Sequence, residues 1–245
     1  MSERESGAQS QPENEITLNG ETLVPLTGAA LYWPRLQALI VADLHFEKGS
    51  SFARQGVPLP GYDTRSTLRR LGQLCSAYKP ATIISLGDAF HDLGAEGRMD
   101  DADIALLDAL ISGHEWLWIL GNHDPEPPKR FGGTVARTER IGGLFMTHEP
   151  NEHAEPGEIA GHMHPCARVR TGNKTLRRRC FVQSPERLIM PAFGAFTGGL
   201  NVLDEAFGAY LPGEFTAWAI GGEGVYPIPR RGLARDSLPL RPIRA

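Results

Sequence analysis

The apolar positions of this chain fall in short runs whose spacing changes character partway along. Ala38 to Ala42 is unbroken apolar and ends in Asp-Leu-His, the pattern of a strand buried on both faces that opens into a loop. Leu68, Leu71, Leu74 and Cys75 recur at helical spacing, which predicts a helix capped by Asp63 or Thr64 and stopped by Pro80. Ala81 to Leu86 is a second buried strand, ending at Gly-Asp. A second helix is expected from about Asp101 to Ile111, with Ile104, Leu107, Leu110 and Ile111 on one face and Gly113 closing it. Trp116 to Leu120 is a third strand, ending at Gly-Asn-His-Asp. Beyond residue 140 no helical periodicity persists, and strands are expected at about 141–147, 157–161, 166–170, 178–183, 187–191 and 216–220. Turns fall at Gly172-Asn173 and Gly221-Gly222. An α/β half is thus followed by a mostly β half.

Composition bounds this picture without changing it. A length of 245 residues with 41% hydrophobic and 22% charged residues fits a globular chain and excludes a disordered one. The expected organisation is a disordered lead-in over 1–14, one domain over 15–228 and a loose Pro/Arg-rich tail over 229–245. No apolar run is long enough to span a membrane, and the polar, acidic opening Met1 to Glu15 is expected to be neither leader nor anchor. Cys75, Cys166 and Cys180 show no paired spacing, so a reducing compartment, the cytoplasm, is expected.

Charge is unevenly distributed. The net charge is −4, yet residues 165–187 carry seven bases against Glu186, and 230–245 carry five against Asp236. Such a face suits a polyanion, though arginine-rich runs are also ordinary solvated surface.

Five segments carry the candidate chemistry: Asp43-Leu44-His45, Gly87-Asp88, Gly121-Asn122-His123-Asp124, His148 and Gly161-His162-Met163-His164. Five of the eight histidines fall in them. Each alone has a bland explanation as a turn or a satisfied histidine. In order, at the ends of successive strands, they point to one shared site, because in α/β folds functional groups gather beyond the carboxyl ends of strands. Carboxylates, an amide oxygen and imidazoles without thiolates suit Mn²⁺, Fe²⁺ or Zn²⁺ rather than a structural cysteine zinc site. Seven ligands exceed one ion's needs, and a bridging carboxylate would hold two ions about 3.5–4 Å apart.

The series Asp-x-His, Gly-Asp, Gly-Asn-His-Asp, His, Gly-His-x-His resembles the signature of the calcineurin-like metallophosphoesterases over residues 37–200. The resemblance implies a four-layer αββα sandwich, two β-sheets flanked by helices, of the metallo-dependent phosphatase type. It implies that Asp43, His45 and His164 hold a first ion and Asn122, His148 and His162 a second, with Asp88 bridging them. His123 would be the general acid beside the leaving oxygen, oriented by Asp124. The activity implied is hydrolysis of a phosphoester by hydroxide formed at the two ions, most simply Mn²⁺.

Finer segments, Asp43 to Gly49, Gly87 to Asp92, His148-Glu-Pro150 and Pro191 to Gly199, resemble the ligase-associated DNA-damage-response endonucleases. That branch implies DNA or RNA as substrate and association with a DNA ligase, helicase and exonuclease. The basic stretch begins four residues after His164, so a hairpin carrying Arg168 and Arg170 could follow a strand from the site. Phe193 and Phe196, flanking Gly194, could stack on bases, or could be core. Lys48, Arg54 and His91 lie near motif ends and are unranked further candidates for phosphate contact. Cys166 and Cys180 are expected to be reduced packing residues. Two other readings stand beside the nuclease: a phosphodiesterase of small phosphoesters such as cyclic nucleotides, and a non-catalytic metal-binding scaffold, which an intact His123 disfavours.

Overall fold

The computed structural model describes residues 15–236 except 58, 60, 127 and 173; the expected lead-in over 1–14, the end of the tail over 237–245 and half of the Gly172-Asn173 turn lie outside the described residues. The chain forms an α/β sandwich of two β-sheets flanked by helices. The first half supplies strands β1 (Ile16–Leu18), β2 (Glu21–Pro25), β3 (Leu31–Trp33) and β4 (Ala38–Ala42). Helices α1 (Lys48–Arg54) and α2 (Asp63–Tyr78) follow, then β5 (Thr82–Leu86), α3 (Asp101–Ser112), β6 (Glu115–Ile119) and β7 (Thr134–Ala136). These seven strands form one sheet in chain order, antiparallel from β1 to β4 and parallel from β4 to β7.

The second half supplies β8 (Thr138–Ile141), β9 (Leu144–Thr147), β10 (Glu158–Ala160), β11 (Pro165–Thr171), β12 (Lys174–Gln183), β13 (Arg187–Ile189), β14 (Leu200–Asn201), β15 (Thr216–Ile220) and β16 (Val225–Pro229). They form a second sheet in the order β14-β11-β12-β13-β10-β9-β8, with β15 on β12 and β16 on β15.

Period-2 alternation explains the layering. From β4, Leu39 and Val41 face α2 and α3, where they meet Leu68, Leu71, Ile104 and Leu107. Ile40 and Ala42 face the second sheet and meet residues such as Met146, Ile159 and Leu188. Both faces being covered, all five residues of β4 are buried. The outer face of the second sheet is closed by a 3₁₀ turn at Glu205–Phe207 and the loop carrying Leu211 and Phe215. Among the described residues no helix is long and apolar enough to cross a membrane.

Several local expectations change. The strand predicted over 141–147 is a hairpin, β8 and β9, because Gly142, at φ 57°, turns the chain. Neither Asp63 nor Thr64 caps α2: its N-cap is Tyr62, without a side-chain bond. Asp63 instead accepts from the Gly49 amide at 2.9 Å, and the Thr64 hydroxyl accepts from the Glu47 amide at 2.8 Å while donating to the Glu47 carboxylate at 2.9 Å. Both side chains brace the segment that follows Asp43-Leu44-His45. At the other end of the domain, residues 229–236 lie against the β11–β12 hairpin: Leu233 bridges Val169, and the Ala234 amide donates to the Arg168 carbonyl at 2.8 Å.

Candidate metal centre

Five strands end at one place. Parallel β4, β5 and β6 deliver Asp43, Asp88 and Asn122, and parallel β9 and β10 deliver His148 and His162. Backbone bonds hold the loops in register: His45 donates to the Asp88 carbonyl at 2.8 Å, Gly161 to that of His148 at 2.9 Å, and Gly194 to that of Asp43 at 3.0 Å. Of the eleven non-glycine residues with positive φ among those described, five are Asp43, His45, Asp88, His162 and His164. Left-handed backbone at such residues costs on the order of 1–3 kcal/mol each and persists where the surroundings over-determine it, as at functional sites.

The motif glycines have steric reasons. A Cβ on Gly87 would overlap the His148 imidazole, and one on Gly121 would overlap the Asp88 carboxylate and amide. Each glycine lets a candidate ligand from another strand end come close.

Two clusters result. Asp43, His45 and His164 have ligand atoms within 4.8 Å of one another, and so do Asp88, His148 and His162. In the first, His164 Nε2 lies 3.3 Å from both His45 Nε2 and Asp43 Oδ1. In the second, His148 Nε2 lies 3.4 Å from Asp88 Oδ1, 2.9 Å from Asn122 Oδ1 and 3.3 Å from His162 Nδ1, and His162 Nδ1 is itself 2.9 Å from Asn122 Oδ1. An ion ~2.1 Å from each ligand leaves neighbouring ligand atoms about 3.0 Å apart in an octahedron and about 3.4 Å in a tetrahedron. Most of the spacings match those edges. Asp88 faces both clusters, with Oδ1 toward His148 and Oδ2 3.9 Å from His45 Nε2.

The tautomer of His148 sharpens the fit. Its Nδ1 sits 3.0 Å from the Leu86 carbonyl, so Nδ1 is the donor, and the neutral ring presents a lone pair at Nε2. Lone pairs of His148, Asn122 and Asp88 then converge with no proton between them, an arrangement a cation resolves. Without an ion a proton takes that place. Burial works to lower the His148 pKa, but the bond to Asp88 and the charges of Asp43 and Asp88 carry it up to about 9. Asp88, whose burial alone would raise it, is held well below the usual carboxylate range by His148, the His123 amide and His45. His45 behaves oppositely: burial pulls it down to about 3 against the pull of Asp43 and Asp88.

His123 stands at the rim, its side chain 41% exposed, with Nε2 4.0 Å from Asp88 Oδ2 and its amide donating to Asp88 Oδ1 at 2.9 Å. The expected orientation by Asp124 is corrected. His123 Nδ1 is 2.8 Å from the His91 carbonyl, and the His123 ring stacks on that of His91. Asp124 is buried beneath and takes four amides: those of Asp88 and Gly121 on Oδ1, at 3.0 and 2.9 Å, and those of Ala89 and Phe90 on Oδ2, at 2.7 and 3.1 Å. Burial pushes its pKa up to about 6, with the amides opposing. Its place is to tie the Gly87-Asp88 loop to the Gly121–Asp124 loop.

The expected substrate contacts divide. Phe193 is corrected: it is 0% exposed, and its ring lies under the Arg70 guanidinium at 4.2 Å, so it cannot stack on a base. Phe196 is 39% exposed beside Tyr62. Arg168 and Arg170 lie on β11, which starts one residue after His164. Arg187, counted in the basic stretch, is buried in an ion pair with Glu158 at 2.7 Å. Cys75, Cys166 and Cys180 are free and buried.

Two ion-sized clusters of oxygen and nitrogen donors facing a common carboxylate, with a histidine at the rim, are consistent with a dinuclear-metal phosphoesterase. The sequence comparison agrees: residues 36–171 match the calcineurin-like phosphoesterase family, and the chain belongs to it. Among curated proteins it is 25% identical over 168 residues to the "Probable inactive purple acid phosphatase 29" of Arabidopsis thaliana, a match covering 62% of this chain and only 41% of that protein. Among solved structures it is similar to a nuclease, MPE, of Pseudomonas putida, at 28% identity and a TM-score of 0.67, covering 88% of this chain and 99% of that one.

Proposed function

We propose that this chain is a two-metal phosphodiesterase whose substrate is nucleic acid, a nuclease resembling the ligase-associated repair branch. The observation that carries the hydrolase reading is the pair of clusters joined through Asp88. Asp43, His45 and His164 would hold one ion, and Asn122, His148 and His162 the other. Two divalent ions, when bound, supply positive charge for the phosphoryl oxygens and a water of lowered pKa; Mn²⁺ suits these ligands, as do Fe²⁺ and Zn²⁺. Asp88, which faces both clusters, would be the group shared between the two positions. His148, fixed through the Leu86 carbonyl, keeps its lone pair on the second. His123, with Nδ1 on the His91 carbonyl, aims Nε2 across the site, where a proton on it can pass to a leaving alkoxide. Its partial exposure leaves room for a substrate on that side.

The nucleic-acid part rests on the likeness to the Pseudomonas putida nuclease, which extends over nearly all of that structure, and on the basic hairpin leaving the site. A role beside a DNA ligase, helicase and exonuclease belongs to the same proposal. The test is cleavage of labelled single-stranded DNA, duplex DNA, RNA, cyclic nucleotides and an aryl phosphodiester by manganese-loaded protein, alongside Asp88→Ala. Strand cleavage lost in Asp88→Ala is the expected result. Turnover of cyclic nucleotides or the aryl diester without any strand cleavage overturns the substrate assignment, and ion binding without turnover of anything would leave a scaffold.

A further inference from the structure

The β11–β12 hairpin has two unlike faces. Residues directly opposite in an antiparallel pair share a face. Ala167, Val169 and Cys180 point into the outer core. The register Cys166↔Arg179, Arg168↔Arg177 and Arg170↔Thr175 therefore puts four arginines together on the opposite face: Arg179 first, then Arg177 beside Arg168, then Arg170 nearest the tip. The row starts at the metal centre: Arg179 donates to the Gly194 carbonyl and the Thr197 hydroxyl, both at 3.1 Å, and Gly194 is bonded to the Asp43 backbone. Six residues of strand from His164 to Arg170 span about 20 Å.

At the tip this face forms a cleft of about 610 Å³ with the segment that follows β16, lined by Arg168, Arg170, Thr175, Arg231, Arg235 and Asp236. Four of those six residues are arginines. Among the described residues, Asp236 is the acid of this cleft, 3.9 Å from both Arg168 Nη1 and the neighbouring Arg177 Nη2 and steadied by Asn201 Nδ2 at 3.1 Å. Its carboxylate sits between two guanidinium groups at a distance too long for good hydrogen bonds, so a better anion can displace it.

We propose that this arginine face and cleft are the track for the phosphate backbone of a nucleic-acid strand leading away from the metal centre, and that Asp236 is a built-in anion competing for it. The inference rests on the nuclease reading and adds the surface that would hold the substrate beyond the scissile bond.

The test is fluorescence anisotropy of a labelled 12-nucleotide single strand with phosphorothioate links, which resist cleavage, against manganese-loaded protein across a salt series. Arg170→Ala with Arg235→Ala should weaken binding about tenfold at low salt and flatten the salt slope by about 1.4, at about 0.7 for each phosphate no longer neutralised. The pair Arg170→Lys and Arg235→Lys should restore the slope. Asp236→Asn should move the other way, tightening binding several-fold. Melting curves that overlay the wild type confirm that each variant is folded. Unchanged affinity and slope in the alanine pair, with the wild type binding and cleaving strands, overturns the track and leaves the nuclease reading standing. A wild type that hydrolyses an aryl phosphodiester yet neither binds nor cleaves strands overturns both.

Discussion

In the first half of the chain the ligand candidates follow five-residue strands, β4, β5 and β6, that lie side by side in the parallel part of the first sheet. In the second half they follow β9 and β10, four and three residues long. Yet neither cluster belongs to one half. His164 joins Asp43 and His45, and His148 and His162 join Asp88. Each ion position is therefore a seam between the two sheets, and holding ions holds the halves together. The apolar contacts of Ile40 and Ala42 with Met146 and Ile159 set the distance across the seam, and the ligands finish it.

Asp88 is the place to break that seam. Facing both clusters, it should be the one side chain whose loss empties both. Asp88→Ala is expected to lower bound metal from two ions toward none, measured by elemental analysis, and to reduce turnover at least about 10³-fold, because several kcal/mol of charge stabilisation goes with the ions. A loss of one ion only would show that Asp88 belongs to a single cluster. His164→Ala, from the second half, should cost the first position alone.

His123 offers a contrast, since it touches the site without being within either cluster. His123→Ala should retain both ions while turnover on an alkyl phosphodiester falls roughly 10²–10⁴-fold, the range for losing a positioned proton donor. A substrate with a good leaving group such as nitrophenolate should be affected much less. Equal losses on both would remove the general-acid role and leave His123 as a charge or packing group.

Asp124 tests the scaffold under the first half. Removing its carboxylate leaves four amides without that acceptor, three of them buried and that of Gly121 part-buried. Each costs ~1–3 kcal/mol when unsatisfied, though water entering the space offsets part. Asp124→Ala should therefore lower the melting temperature by several degrees and weaken metal retention, whereas Asp124→Asn, which keeps one acceptor oxygen, should recover part of the stability. A variant with wild-type melting but poor turnover would return Asp124 to a direct role on His123.

The same contrast governs what the sequence disclosed. β4, β5, β6, α2 and α3 are legible because buried strands leave unbroken apolar runs and amphipathic helices leave a helical period, and the candidate ligands follow the strands. β1, β3 and β7 are not, since three residues carry too little pattern, and neither is β2, whose Glu-Thr-Leu-Val-Pro is no unbroken apolar run. Helix α1 has one large apolar residue, Phe52, and is held from outside by Asp63 and Thr64, so nothing local announced it. The candidate ligands are readable as residue types in order, but their supports are not. The Leu86 and His91 carbonyls that orient His148 and His123 are backbone atoms, which no side-chain pattern encodes. Phe193 was misplaced for a related reason: a phenylalanine beside glycine reads alike in a loop or a core, and only the tertiary position of Arg70 and α2 decides.

The smallest expected effect separates two histidines, one from each half, in protein stripped of metal. His45, in the first half, is held neutral, its pKa pulled down to about 3 by burial. His148, in the second, is held protonated up to about 9, its neighbours Asp88 and Asp43 outweighing burial. The signs follow from which state binds the proton. As pH falls below 6.5, the ordinary value, an unfolded chain protonates His45 where the folded one does not, so the folded state loses ground down to about 3. The His148 contribution is complete below 6.5 and fades as pH rises through about 9. Metal-free protein should accordingly melt lower at pH 9 than at pH 7, and His148→Gln should remove most of that difference. Loaded with manganese, the protein should gain ions more tightly as pH rises over the same interval, because the ion must displace the His148 proton. Calorimetric titration in buffers of different ionisation enthalpy reads the proton released per ion. A release near zero at pH 7 would mean that His148 is already neutral there and that the two halves meet the metals in the same protonation state.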